Sequence, residues 1–175
     1  MGKTGGGRGT NQHAVRGTSQ ASRQNTDVLE GLAVAEPQMV QRTDGSKEWF
    51  VDGMHHRIDG PAIEWADGGK EWCVNGRLHR TDGPAAEWAD GTKVWYVNGQ
   101  RHRSDGPATQ WPDGSREWYA EGKLHRTDGP AVEYGDGDKE WWVDGKRHRT
   151  DGPAVEWADD TKEWWVNGEQ VPPPT

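Results

Sequence analysis

The chain has one cysteine, Cys73, and one phenylalanine, Phe50, and is nearly without leucine and isoleucine. A single cysteine excludes an internal disulfide framework and leaves the redox compartment open. No apolar run approaches the length of a membrane span, and the first residues lack the apolar core of a secretory leader. Neither a signal peptide nor a membrane partner is expected. Hydrophobic residues make up only 30% of the chain, a share that taken alone points to disorder.

The 12 tryptophans contradict that reading, because disordered segments are poor in aromatics. They fall at two equivalent positions of an internal repeat, or immediately beside one. The repeat runs from Asp59 to Thr81 and restarts at Asp82, Asp105, Asp128 and Asp151, a step of 23 residues without insertion or deletion; a partial copy, Thr43 to Ile58, precedes it. A fixed period of this size marks a repeat architecture.

Charge is unevenly placed. The net charge is −8, yet Lys3, Arg8, Arg16 and Arg23 stand in residues 1–26 with no acid, so the rest carries −8 − 4 = −12. An acidic body argues against nucleic acid and anionic lipid as partners. Residues 1–26, rich in Gly, Ser, Gln and Arg, read as a flexible arm or one that orders on a partner. Residues 27–42, with Val28, Leu29, Leu32, Val34, Met39 and Val40, read as a connector and a strand or short helix capping the first copy.

Residues 43–171 read as six units, the first partial. Pro61 to Trp65 alternates, Ala66 to Gly69 turns, and Lys70 to Val74 alternates again. Asn75-Gly76 then signals a tight hairpin, since both turn residues need positive φ. Arg77 to Arg80 should pair back, placing Val74 opposite Arg77 and His79 opposite Trp72, and Asp82-Gly83-Pro84 should bend or bulge the chain. Helix is excluded by this density of Gly and Pro. The fold class is therefore all-β, an elongated single-layer antiparallel meander of hairpin repeats. In the last unit Val171 replaces His, and Pro172-Pro173-Pro174, within residues 172–175, should block further strand addition.

Parity assigns faces. One ladder comprises Trp65, Trp88, Trp111, Tyr134 and Trp157, and a second Trp49, Trp72, Trp95, Trp118, Trp141 and Trp164. Both are expected to form the core. The opposite face is expected to carry Glu64, Glu71 and their equivalents with a variable aromatic row of Phe50, Tyr96, Tyr119, Trp142 and Trp165, in which Cys73 also stands. Contiguous exposed aromatics mark interfaces, unless Lys and Arg stems or a second sheet cover them. One copy has too few large apolar residues to offset the ordering of 23 residues, so stability should come from stacking.

The run Glu87 to His102 resembles the MORN repeat in its Asp-Gly turn, the aromatic shortly after it, the Gly before x-x-His and the repeat length. It departs in using Trp for Tyr, and His-Arg-x-Asp-Gly-Pro-Ala where that family has His-Gly-x-Gly. It looks closer still to bacterial and phage proteins with His-Arg-x-Asp-Gly-Pro-Ala repeats. The resemblance covers residues 43–171 and implies a twisted single-layer sheet used for protein contacts, without chemistry. The expected location is the cytoplasm or a virion, the virion being what the resemblance to phage proteins implies. A weaker resemblance is to the choline- or sugar-binding hairpin repeats of cell-wall proteins.

His79, Arg80 and Asp82 resemble an acid–base set, but they recur whole with His56, His102, His125 and His148. An active site needs one distinctive assembly, so five equal ones read as a structural staple: Asp bonding turn amides, His packing on the Trp opposite. Equivalent histidines stand ~10 Å apart, two strands per copy, too far to share a metal. No cofactor, metal or catalysis is expected. The leading reading is a non-enzymatic module that binds protein in a homo- or hetero-oligomeric assembly. The alternatives are a glycan- or choline-binding module and a small acidic inhibitor or immunity protein.

Overall fold

The computed structural model describes residues 35–174. The arm with Lys3, Arg8, Arg16 and Arg23, and Val28 to Val34 of the connector, lie outside the described residues. Within them every regular element is a short strand and every pairing is antiparallel. Fourteen strands form one sheet, flanked by four two-stranded hairpins. From the connector, Gln38–Gln41 joins this sheet as its first strand, paired with Lys47 to Phe50.

Each inner copy contributes an outgoing run of two short strands broken at its tryptophan, Lys70–Glu71 and Cys73–Val74 in the first, and a return interrupted over a longer stretch. Across the first turn Ile63 faces Glu71 and Glu64 faces Lys70. Across Asn75-Gly76, Cys73 faces Leu78 and Val74 faces Arg77. The return strand pairs further on, with Glu71 facing Ala86 and Lys70 facing Glu87. Between these stretches the His79 N–H donates to Trp72 O (2.9 Å), while the Trp72 N–H donates to Ala85 O (2.8 Å). Residues 80–84 therefore loop out of the ladder as a large bulge opposite a single tryptophan. Each hairpin is also bonded to the next, through Arg80 N to Tyr96 O (3.1 Å) and Gly99 N to Leu78 O (2.8 Å). No strand within the array relies on its own copy alone.

The tight turns follow their sequence. Asn75 and Gly76 sit at φ 50° and 73°, the left-handed pair that a two-residue hairpin needs. In one copy Glu121 takes this position at φ 49°, and in the last Asp160 stands at φ 69° where earlier copies place Gly68, Gly91, Gly114 and Gly137. A residue other than glycine in this region costs up to about 1–2 kcal/mol, least for Asn and Asp, whose short side chains can bond locally. Glu121→Asn and Asp160→Gly are each expected to raise the melting temperature by a few degrees (about 1 kcal/mol) in thermal scans.

Register corrects the expected faces. Residues directly opposed in an antiparallel pair point the same way, so Glu71 lies with Ile63, Trp65 and the variable aromatic row. Glu64 lies instead with Lys70 and Trp72. The acids are split between faces and the two tryptophan ladders are on opposite sides. Alternation along each strand was visible in the sequence; the pairing across the 65–69 turn, closed by the Trp65 N–H on Gly69 O, was not.

The core also differs from expectation. On the Trp72 side it is Ala62, Ala85, Ala108, Ala131 and Ala154, all 0% exposed; on the other it is Ile63, Ala86, Val94, Val132 and Val155. No tryptophan is fully buried, and Trp65, Trp88 and Tyr134 are 40–43% exposed. A single layer has no second sheet to enclose an indole, so the rings act as lids over rows of small residues. Thr109 occupies this second row with its hydroxyl buried and unpartnered. Thr109→Val keeps the shape and removes that penalty, and is expected to raise stability by about 1 kcal/mol in denaturant unfolding.

Neighbouring first turns are linked too. Ser46 Oγ accepts the Ala66 N–H and Ser115 Oγ the Gly135 N–H, both at 3.0 Å. Thr92 is placed to receive the same bond from residue 112, but that residue is Pro112 and has no N–H. Thr92 Oγ1 accordingly finds no partner across this boundary.

Candidate functional site

The bulge at residues 80–84 exists to hold an arginine against a tryptophan. Arg80 Cζ lies 4.0 Å from the centre of the Trp72 ring, and the contact recurs for Arg57 on Trp49, Arg103 on Trp95, Arg126 on Trp118 and Arg149 on Trp141. Arg80 Nε donates to Asp82 Oδ1 (2.8 Å) and Nη1 to Pro84 O (3.3 Å). A Cβ on Gly83 would come within 2.9 Å of the guanidinium carbon, so any side chain there would make the arginine shift from its seat on the ring. Asp positions the fork, Gly gives it room, Pro offers the acceptor, and Ala leaves space under the indole. The Arg-x-Asp-Gly-Pro-Ala motif is thus a cation–π clamp.

Two expected roles change as a result. The aspartate bonds the arginine rather than turn amides. The histidine does not use its ring to cover the tryptophan: His79 Nδ1 accepts the Asn98 N–H at 3.1 Å, locking the next copy's left-handed turn. His56, His102, His125 and His148 do the same for Asn75, Glu121, Asp144 and Asn167. Only a register spanning two copies reveals this bond, since its partners are 19 residues apart. Trp164 has Val171 opposite it in place of a histidine.

Arginine hydrogen bonds hold the carboxyls of Asp59, Asp82, Asp105, Asp128 and Asp151 below the usual range. Arg42 and then His55 do the same more strongly for Glu48, lowered to about 2. A carboxyl depressed in the folded state adds stability above its unfolded pKa, and that stability is lost as pH falls through the folded value. Glu117, raised by burial, opposes this in the same range. The turn amide of Thr92 and the hydroxyl and amide of Thr161 lower Asp90 and Asp159 as well. With eight depressed groups against one, the melting temperature is expected to fall below about pH 4, and Asp105→Asn should flatten that fall in a pH series of thermal melts.

The variable row is half-buried and largely satisfied internally. Arg101 lies 5.1 Å from the Tyr119 ring centre and donates to Tyr119 Oη (3.1 Å) and Tyr96 Oη (3.4 Å). Arg147 lies 5.4 Å from both the Trp142 and Trp165 rings. The indole N–H groups of Trp142 and Trp165 donate to Glu140 and Glu163 (2.7 and 2.8 Å), and Phe50 packs on His55. Cys73 is buried, its thiol pushed up to about 11 by desolvation and thus unreactive. Guanidinium groups lie against four of these aromatics and His55 against Phe50, so the more open aromatic surface on the same face is the stripe containing Trp65, Trp88 and Tyr134.

On the opposite face, successive clamps leave grooves at the copy boundaries. Four of them, of about 380, 550, 680 and 520 Å³, are lined alike. The second is bordered by Pro84, Trp95, Val97, His102, Arg103 and Asp105. Among the described residues no three of His, Cys, Asp and Glu gather as metal ligands, and no helix is long and apolar enough to cross a membrane. No protein-family model matches the chain, and no curated protein is similar to it in sequence.

Proposed function

We propose that the chain is a non-enzymatic scaffold that binds a protein partner along the stripe containing Trp65, Trp88 and Tyr134, as part of a larger assembly such as a phage virion. The observation that carries this reading is the exposure of large aromatics at one equivalent position in three of the five copies, with Trp111 and Trp157 half-buried at the same position in the other two. Rings set a fixed distance apart on a stiff sheet suit an extended surface better than a small ligand. The basic arm with Lys3, Arg8, Arg16 and Arg23 supplies a second anchor for an acidic surface. Affinity capture on the full chain should retain a partner that Trp65→Ser/Trp88→Ser releases, with the fold intact by circular dichroism. Only free monomer in the native lysate, or capture indifferent to that double substitution, would contradict the reading.

The repeated grooves favour a second reading, a glycan-binding module. Each combines an indole, an imidazole and a fixed Arg–Asp pair at ~10 Å intervals, chemistry suited to an unbranched polyhydroxyl chain. Tryptophan fluorescence titrated against a polysaccharide panel should respond and should lose the response in His102→Ala; a silent titration removes this reading. The net −12 of the body favours a third, an inhibitor masking a basic enzyme, which capture of such an enzyme with loss of its activity would support.

A further inference from the structure

The two edges of the sheet are unlike. The last strand, Glu169–Val171, is followed by Pro172, Pro173 and Pro174, which offer no N–H to an added strand. The first, Gln38–Gln41, reads Gln-Met-Val-Gln: it carries no charge, proline or bulge, the usual protections of an edge. Met39 and Val40 are 51% and 41% exposed. Among the described residues only Lys47 to Phe50 pairs with this strand.

Hydrogen-bond direction shows which groups are free. Trp49 donates to Ala62 O and accepts from His56 N, so both its backbone groups point away from the first strand. Its neighbours Glu48 and Phe50 therefore turn towards their partners Val40 and Gln38. Met39 and Gln41 are left with N–H and C=O directed outward.

We infer that this edge pairs with the same edge of a second copy, antiparallel about a twofold axis, closing a dimer with one continuous sheet. A twofold axis through an antiparallel pair keeps each face continuous only if a residue opposes another of the same parity. Placing Val40 opposite Val40 of the second copy sets Met39 against Gln41 and uses every outward donor and acceptor of both residues in four backbone bonds. Centring the pair on Met39 instead brings Gln41 opposite Pro37, which cannot donate, and leaves two carbonyls unpaired. The uncharged strand is also where two bodies of net −12 meet with least repulsion. The proline-blocked far edge confines association to the closed dimer rather than a fibre. This surface is separate from the aromatic stripe and does not depend on it.

Sedimentation equilibrium of the full chain over a concentration series should show the mass doubling, more readily at higher salt as the repulsion is screened. The Met39 and Gln41 amides should be protected from hydrogen exchange only at concentrations where the dimer forms. Met39→Pro removes an N–H that no described residue of the protomer accepts, and should weaken association about tenfold or more with the melting temperature of the protomer unchanged. Met39→Lys provides a second probe that leaves the backbone alone. On oxidation Val40→Cys should form a disulfide dimer, since opposed residues of a non-hydrogen-bonded pair stand ~4.5 Å apart. Met39→Cys should not, its two copies lying ~7–8 Å apart. Monomer mass at every concentration, association unchanged by both Met39 substitutions, or cross-linking through Met39→Cys rather than Val40→Cys would overturn the inference.

Discussion

Arg126→Ala is expected to destabilise the protein by about 3 kcal/mol, lowering the melting temperature by roughly 10 °C. Arg126 lies 4.1 Å from the Trp118 ring centre and donates to Asp128, Pro130 O and Glu133. A half-desolvated cation–π contact contributes about 1–2 kcal/mol, and the charged hydrogen bonds to the part-buried acceptors Pro130 O and Glu133 about as much again, the exposed Asp128 serving to orient the fork. Arg126→Lys should recover little of this, because an ammonium cannot lie flat on an indole while forking to an aspartate and a carbonyl. Trp118→Ala should cost about 3–5 kcal/mol, and the double variant less than the sum of the two, by about 1–2 kcal/mol. Gly129→Ala sharpens the test, since its Cβ would stand 2.9 Å from the Arg126 guanidinium carbon. It should cost about 1 kcal/mol in the intact protein and nothing in the Arg126→Ala background. Additive losses among these three positions would show that the clamp is not a unit.

The meander was readable because its signals are local. Asn75-Gly76 sets a turn whichever sheet it joins, and alternation at Lys70 to Val74 names a strand. The role of the Arg-x-Asp-Gly-Pro-Ala stretch was only half readable. Its repetition marked it as structural, yet nothing local indicates that Arg80 folds onto Trp72, because that contact needs the bulge to carry residues 80–84 back over the preceding strand. The His79–Asn98 bond was hidden for the same reason, its partners being in different copies. The exchange of core and surface between the two aromatic rows has another cause. Hydrophobicity ranks Trp65 above Ala86, but in a one-layer sheet depth is set by distance from the backbone plane, and only a short side chain stays beneath the lids. Tyr96, Tyr119, Trp142 and Trp165 read as open because their covering arginines, Arg101 and Arg147, vary along the array as Leu78 and Leu124 do at the same position.

The second large effect concerns copy number. Each boundary is crossed by two backbone bonds between hairpins, the paired strands at Glu71–Ala86, and a histidine-locked turn. At about 1 kcal/mol for each net hydrogen bond, a boundary contributes roughly 3–5 kcal/mol, whereas a copy alone must order 23 residues around small alanines. Removing one internal copy, residues 105–127, should therefore shift the unfolding transition by at least the value of one boundary.

The most direct measurement is a denaturant series on chains carrying one, two, three and five successive copies, followed by tryptophan fluorescence. A single copy, residues 59–81, should show no cooperative transition, with midpoint and slope then rising at each addition as neighbour contacts accumulate. A lone copy that unfolds cooperatively, or a midpoint indifferent to the number of copies, would contradict the claim that the array stands only because its members hold one another.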